Sequence, residues 1–386
     1  MKAIIYVFSG TGNTLKVAEL YKKYLTSYET EICNIKMLKN PNFSKKDKRK
    51  FIFDKFSSPN SADLVGFAFP IHGFNPPKVV MDFCKQLPDV WERANLSVLE
   101  ANSSLKMREF SGNSATLFPT LLSQRHTVSK EKLTENNSAN SYKQSAKKIK
   151  KIPKNAFIFK TGGEGLHFND YASQKLMRKL QRKGFNFLSE KLYVMPYNLV
   201  FRHSPQMVKT EWIYAKAQVR LHCKMLAEQR QTKVFLNPIK SWFVPIFRIE
   251  HVYAKLQGPF MKVDSKKCID CMKCVKNCPM SNISFKDGKF SFGTNCALCV
   301  RCAFYCPKDA INLGMLNSWR VNGDYKIEKT AENPAIKFPF FSDSDKGLGR
   351  HAYRDYFKRL DDELKENHIE LFDDELGDDA FIQRVY

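Results

Sequence analysis

Eight of the chain's eleven cysteines fall between Cys268 and Cys306. They form an internal repeat. Cys268, Cys271, Cys274 and Cys278 recur as Cys296, Cys299, Cys302 and Cys306, each displaced by 28 residues. Pro279 and Pro307 follow the fourth cysteine of each run, and Ile283 and Ile311 keep the same offset, so the duplication extends past the thiols. A segment built this way has few side chains for a core of its own. It must fold around whatever its sulfurs hold.

The spacing C-x2-C-x2-C-x3-C-P is that of iron–sulfur ligation. Three cysteines three residues apart wrap one cluster from a tight loop. The fourth, followed by a proline that interrupts local hydrogen bonding, is directed to the other cluster. The expected sets are therefore crossed: Cys268, Cys271, Cys274 and Cys306 for the first [4Fe–4S] cluster, and Cys296, Cys299, Cys302 and Cys278 for the second. Zinc is the competing reading, since C-x2-C pairs also suit tetrahedral zinc. No histidine lies between Cys268 and Cys306, and zinc sites more often use two separated pairs. A disulfide framework is disfavoured because no secretory signal is visible at the N-terminus. Residues 263–315 resemble the bacterial-type ferredoxin domain with two [4Fe–4S] clusters. Cys33, Cys84 and Cys223 lie outside the run and read as small buried apolar residues.

The N-terminal half carries a different signal. Lys2–Phe8 reads as a buried strand, Ser9-Gly10-Thr11-Gly12-Asn13-Thr14 as a glycine–hydroxyl loop, and Leu15–Leu25 as an amphipathic helix. A strand, a glycine loop and a helix N-terminus make an anion site, because unpaired amides and the helix dipole converge there. The loop has no lysine, which disfavours a nucleoside triphosphate, and it lacks the G-x-G-x-x-G dinucleotide pattern.

The run SGTGNT after an N-terminal strand resembles the FMN-phosphate loop of flavodoxins. Two further strands, Asp63–Phe69 and Ala156–Lys160, end in Pro70-Ile71-His72-Gly73-Phe74 and Thr161-Gly162-Gly163-Glu164-Gly165. The resemblance implies that Pro70–Phe74 and Thr161–Glu164 flank the isoalloxazine ring, with Phe74 or His72 placed to stack on it. A helix over Tyr171–Lys183, a strand over Lys191–Met195 ending in Met195-Pro196-Tyr197-Asn198, and a helix near Glu211–Gln231 complete the pattern. The expected fold is α/β, a flavodoxin-like, doubly wound, parallel five-stranded sheet, followed by a small α+β ferredoxin domain. The whole resembles the flavodoxin–ferredoxin fusion proteins, over about residues 1–87 and 154–315. The resemblance implies an electron-transfer protein holding two [4Fe–4S] clusters and FMN. A flavin-dependent reductase of a small molecule, fed by its own ferredoxin domain, and a cluster protein without flavin stay open. No catalytic constellation of nucleophile and base stands out, so whether the chain is an enzyme is left undecided.

The expected organisation is a flavodoxin-like domain at 1–230, an aromatic linker at 231–262, the ferredoxin domain at 263–315 and a tail at 316–386. Within the first domain, residues 89–153 read as a mostly disordered basic insertion. Ser103–Lys154 holds eleven basic residues against three acidic ones. The linker reads as packed into an interface; a membrane-surface segment is the less favoured alternative, since Pro238, Pro245 and Pro259 interrupt it. Residues 361–380 carry ten acids and one lysine, and either fold back on the basic body or stay solvated. The net charge of +24 would favour nucleic acid, yet no recognition motif is visible, and the clusters and flavin phosphate would lower that charge. An acidic redox protein, such as a ferredoxin, flavodoxin or reductase, is the favoured partner. No apolar run is long enough to span a membrane, so a cytoplasmic location is expected, with an organelle not excluded.

Overall fold

The first strand sets the frame. In β1 (Lys2–Val7), successive side chains point to opposite faces, and both faces are apolar, so the strand must be covered on both sides. Ala3, Ile5 and Val7 enter one core; Ile4, Tyr6 and the following Phe8 enter the other. The computed structural model describes residues 1–35, 58–93, 151–165, 167–232, 256–340 and 348–372.

After β1 come α1 (Asn13–Tyr24), β2 (Glu29–Asn34), β3 (Leu64–Pro70), α2 (Lys78–Gln86), β4 (Lys154–Gly162), α3 (Gln174–Gln181), β5 (Phe185–Val194) and α4 (Pro205–Ala227). The five strands pair in parallel in the order β2-β1-β3-β4-β5. That order is the flavodoxin-like one, with its switch point between β1 and β3. α1 and α4 cover one face of the sheet through Val17, Tyr21, Trp212 and Val219. α2 and α3 cover the other through Val80, Phe83, Leu176 and Leu180. Cys33, Cys84 and Cys223 are buried, and burial pushes the thiols of Cys84 and Cys223 upward.

β5 starts six residues before the expected Lys191. The polar run Ser189-Glu190-Lys191 breaks the apolar pattern, but Glu190 is buried in an ion pair with Lys160 of β4, and Ser173 ahead of α3 hydrogen-bonds the same carboxylate. Ser189 joins a buried chain with His222, Tyr21 and Tyr193. Burial holds the His222 pKa well below its ordinary value, so the ring is neutral.

The cysteine-rich segment contains β6 (Lys262–Val263), α5 (Lys273–Lys276), the hairpin β7–β8 (Ile283–Lys286 and Lys289–Phe292), α6 (Arg301–Phe304) and β9 (Ile311–Asn312), which pairs antiparallel with β6. Beyond it lie α7 (Ile327–Ala331) and the 19-residue α8 (Leu348–Glu366). Residues 1–90 and 154–386 form one unit. In it Phe304, Tyr325 and Ile327 pack with the β1–α1–α4 core. Of the open alternatives for the C-terminal region, the described part folds back. Tyr353, Tyr356, Phe357, Leu360 and Leu364 of α8 pack with Tyr214 and Leu221 of α4, and Glu363 pairs with Lys191.

Residues 91–153 form a second unit, in which Glu92–Arg93 and Lys151–Ile152 pair antiparallel. The rest of the basic insertion, residues 94–150, most of the aromatic linker, residues 233–255, and the acidic end, residues 373–386, lie outside the described residues. Among the described residues no helix is long and apolar enough to cross a membrane.

Candidate cofactor sites on a shared wall

The two cysteine runs adopt matching local geometry. Met272 and Val300, which precede α5 and α6, both have positive φ, at 55° and 48°. The Asn282 amide donates to Cys278 Sγ at 3.2 Å, and 28 residues on the Ala310 amide donates to Cys306 Sγ at 3.2 Å. The repeat is thus one of backbone as well as sequence.

The cysteines surround two separate spaces. One is lined by Cys268, Cys271, Cys274 and Cys306, with Cys302 also on its wall. The other is lined by Cys278, Cys296, Cys299 and Cys302. Each space therefore takes its fourth cysteine from the opposite run. Among the described residues no three His, Cys, Asp or Glu side chains gather tightly enough for a single ion. The sulfurs stand around a volume, which suits a polynuclear cluster better than tetrahedral zinc.

The environments of the two quartets differ. In the first, Cys271 is exposed and its neighbour Ile269 is 56% exposed. In the second, Cys299 is 8% exposed and packs with the flavodoxin-like core beside Met280 and Ala297. Burial pushes the Cys299 thiol up to about 12, against the backbone amide of Arg301, which draws it down. Burial likewise raises Cys302. Thiolates in such a place need bound positive charge, which an iron–sulfur cluster would supply.

The second quartet lies against the first loop of the sheet. A Cβ placed on Gly10 would sit 2.8 Å from Cys299 Cβ and 3.0 Å from its carbonyl oxygen, so only glycine permits this approach. Arg301 Nη1 donates to the carbonyls of Gly10 at 2.7 Å and Ser9 at 3.4 Å. The Tyr305 hydroxyl donates to the Thr11 carbonyl.

The loop itself is preorganised. Ser9 Oγ accepts from the amides of Gly12 and Leu15 at 3.2 and 3.3 Å. Gly12 has φ 107° and begins α1. Asn198 Nδ2 donates to Thr11 Oγ1 at 3.1 Å, and Asn13 Nδ2 donates to the Pro196 carbonyl at 2.8 Å. Among the described residues the amides of Thr11, Asn13 and Thr14 have no acceptor, although Thr14 is 1% exposed. Three orphan donors at a helix N-terminus fit a phosphate.

The other two loops meet this one. Thr14 Oγ1 and Thr161 Oγ1 are 2.8 Å apart and buried, and the Ile71 amide donates to the Thr161 carbonyl at 2.8 Å. Pro70 pairs with Thr161 across the sheet. His72 pairs with Asn75 in a tight turn in which Gly73 and Phe74 take positive φ. His72, Gly73 and Phe74 are half-buried, as are Gly162, Gly163 and Glu164. Burial raises the Glu164 carboxyl, while Asn169 and His203 oppose it.

Several groups at this site escaped the reading of the sequence. Tyr197 lays its ring against Gly163, where any Cβ would collide with it. Tyr353 of α8 donates to the Gly163 carbonyl, and Tyr356 packs on Gly165. His203 and Glu211 form a buried pair at 2.7 Å beside Tyr353 and Tyr197. A signal for α8 existed: Tyr353, Tyr356, Phe357, Leu360 and Leu364 follow helical spacing just before and into the acidic stretch that begins at Asp361. Arg301 and Tyr305 gave none, since a residue between two ligands has no periodicity to read.

Residues 260–283 match the 4Fe–4S binding domain family. Together with the strand order, this defines the class: a redox protein that joins a 4Fe–4S binding domain to a flavodoxin-like fold. No curated protein matches the chain. Among solved structures it is similar to a flavone reductase, at 12% identity over 75% of this chain and 80% of that one, with a TM-score of 0.32. It is also similar to the Trp repressor binding protein from Bacillus subtilis, at 15% identity over 50% and 86% of the two chains, with a TM-score of 0.26. A third is the FMN-dependent NADH-azoreductase from Bacillus anthracis str. Ames Ancestor in complex with FMN, at 12% identity over 59% and 100%, with a TM-score of 0.29.

Proposed function

We propose that the protein is an electron carrier that holds two [4Fe–4S] clusters and one FMN. The observation that carries this reading is the contact of Cys299 with Gly10, which makes one wall common to the inner quartet and the phosphate loop. In this reading Cys268, Cys271, Cys274 and Cys306 ligate the outer cluster, and Cys278, Cys296, Cys299 and Cys302 ligate the inner one. The orphan amides of Thr11, Asn13 and Thr14 bind the flavin phosphate, and the segments Pro70–Phe74 and Thr161–Glu164 flank the ring. When bound, the clusters supply single-electron chemistry and the flavin one- or two-electron chemistry. The chain's part is to fix their order, exclude water around the inner quartet and set their potentials.

The outer quartet faces the partner in this reading. Lys266, Lys267, Lys273, Lys276 and Lys308 are exposed around it, opposed locally by the acids Asp264 and Asp270. With Ile269 exposed among them, the surface suits an acidic redox protein.

One observation favours a second reading, a cluster protein without flavin: the Tyr197 ring covers Gly163. Anaerobic purification of the full chain decides between them. The carrier reading expects about eight irons per chain and flavin absorbance in stoichiometric amount, or its return on adding FMN. Full iron with no flavin uptake establishes the second reading. Iron at or below about four per chain overturns the two-cluster assignment.

A further inference from the structure

Arg301 reaches in two directions. Its Nη1 holds the carbonyls of Ser9 and Gly10 in the phosphate loop. Its backbone amide lies near the Cys299 thiol and draws the thiol pKa down against the effect of burial. Arg301 is also among the residues that line the space enclosed by Cys278, Cys296, Cys299 and Cys302. The Nε–H of the same guanidinium is buried and has no hydrogen-bond acceptor among the described residues. A buried charge-bearing donor without a partner costs free energy, so an arginine held in this pose calls for an acceptor beyond those the described residues provide.

The 28-residue repeat sharpens the point. The residue equivalent to Arg301 in the first run is Lys273, which is exposed. A lysine carries one flexible point charge, whereas arginine presents a planar fork able to serve the loop with one nitrogen and another acceptor with the next. The fork occurs only in the copy that contains the buried Cys299.

We infer that Arg301 Nε–H donates a hydrogen bond to a sulfur of the inner [4Fe–4S] cluster, while Nη1 fixes the phosphate loop. Arg301 is a positioning and tuning residue. The inference rests on the proposed inner cluster. Its physical consequence follows from charge. Reduction adds an electron to an already anionic cluster–thiolate unit. Burial disfavours that added charge, and a donated hydrogen bond from a cation favours it. Arg301 thereby offsets the burial of the inner quartet and keeps it reducible from the exposed outer one.

The test uses the full chain, loaded with iron and sulfide under anaerobic conditions. The two cluster potentials are followed by EPR-monitored titration in the native protein, in Arg301→Gln and in Arg301→Lys. A hydrogen bond from a charged donor is worth about tenfold in an equilibrium. Arg301→Gln should therefore shift one potential downward by about 59 mV, the one-electron equivalent of tenfold. Arg301→Lys should recover only part, and Lys273→Gln should leave that potential in place.

Because Arg301→Gln can fail to fold, a second measurement needs no substitution: labelling of the native chain with arginine that carries 15N only in its guanidinium group, so that the backbone amide beside Cys299 stays silent, and pulsed EPR of the reduced clusters. A resolved 15N coupling at one cluster supports the inference, and its absence overturns it. Unmoved potentials in a folded, fully loaded Arg301→Gln also overturn it. Iron near four per chain, with the inner cysteines open to alkylation, overturns the cluster reading and the inference with it. By contrast, about eight irons per chain with no 15N coupling overturns the inference alone.

Discussion

The two cysteine runs began as copies and now occupy opposite environments. At matched positions the first run has Ile269, Asp270, Lys273, Lys276 and Asn277, and the second has Ala297, Leu298, Arg301, Phe304 and Tyr305. The first set is exposed at all five positions. In the second, Ala297 and Phe304 are buried, with Phe304 at 2% in the β1–α1–α4 core, and Tyr305 reaches Thr11. The backbone around the sulfurs has been kept, while the outward side chains have been rewritten to suit water in one copy and a protein wall in the other. The lesson is that ligand geometry is set locally by spacing, whereas the cost of burying a cluster is set by what surrounds it.

The sharpest way to break this contrast is to remove one ligand from each copy. Cys299→Ser should cost about four irons and most of the folded protein, because the inner quartet is part of a core. Cys271→Ser should cost about four irons as well but leave the sheet's thermal transition nearly in place. Iron analysis and circular dichroism read both outcomes; equal loss of fold in the two variants would erase the distinction.

A second comparison leaves the ligands alone. Phe304→Ala removes a buried ring and should destabilise by about 3–5 kcal/mol. Lys276→Ala, at the matched exposed position, should stay within about 0.5 kcal/mol. Chemical denaturation under anaerobic conditions measures both.

Charge on the outer face is next in size. Lys273→Glu with Lys308→Glu should slow reduction by an acidic electron donor roughly tenfold at low salt, with the difference fading as ionic strength rises. Stopped-flow kinetics at two salt concentrations checks it, and a salt-independent rate would remove the docking face from the outer quartet.

The smallest expected effect concerns the wall between the halves. Tyr305→Phe deletes the hydroxyl that serves the Thr11 carbonyl and should cost about 1 kcal/mol. FMN titration should show a correspondingly weaker site. Asn277→Ala, its counterpart in the first run, should leave FMN affinity unchanged.

Much of this was legible before any coordinates. The cysteine spacing and the loop Ser9–Thr14 each draw on residues within a dozen positions, so both readings could be made from sequence alone. The strand β1 and helix α1 were equally plain: β1 is a short continuous apolar run bounded by a glycine loop, and the apolar positions of α1 follow the helical period. β5 was only half legible: Glu190 and Lys191 look like solvent-facing residues until Lys160 is seen opposite Glu190. The same limit hid Tyr197 and the tyrosines of α8 from the site. Acidic composition made the C-terminal region look like a tail, although its aromatic residues already followed a helical period.

What the sequence supplied alone is therefore local: the repeated spacing that suggests crossed fourth cysteines, the glycine–hydroxyl turn at the start of α1, and the continuous apolar run that buries β1 on both sides. These depend on backbone geometry over a few residues, which neighbouring side chains specify directly. Only the tertiary structure decided which quartet is inner, that Gly10 must be bare for Cys299 to approach, and that Arg301 spans the wall between them. Those facts join residues almost three hundred positions apart, and such contacts arise from the packing of whole elements, for which no short stretch of chain holds the information.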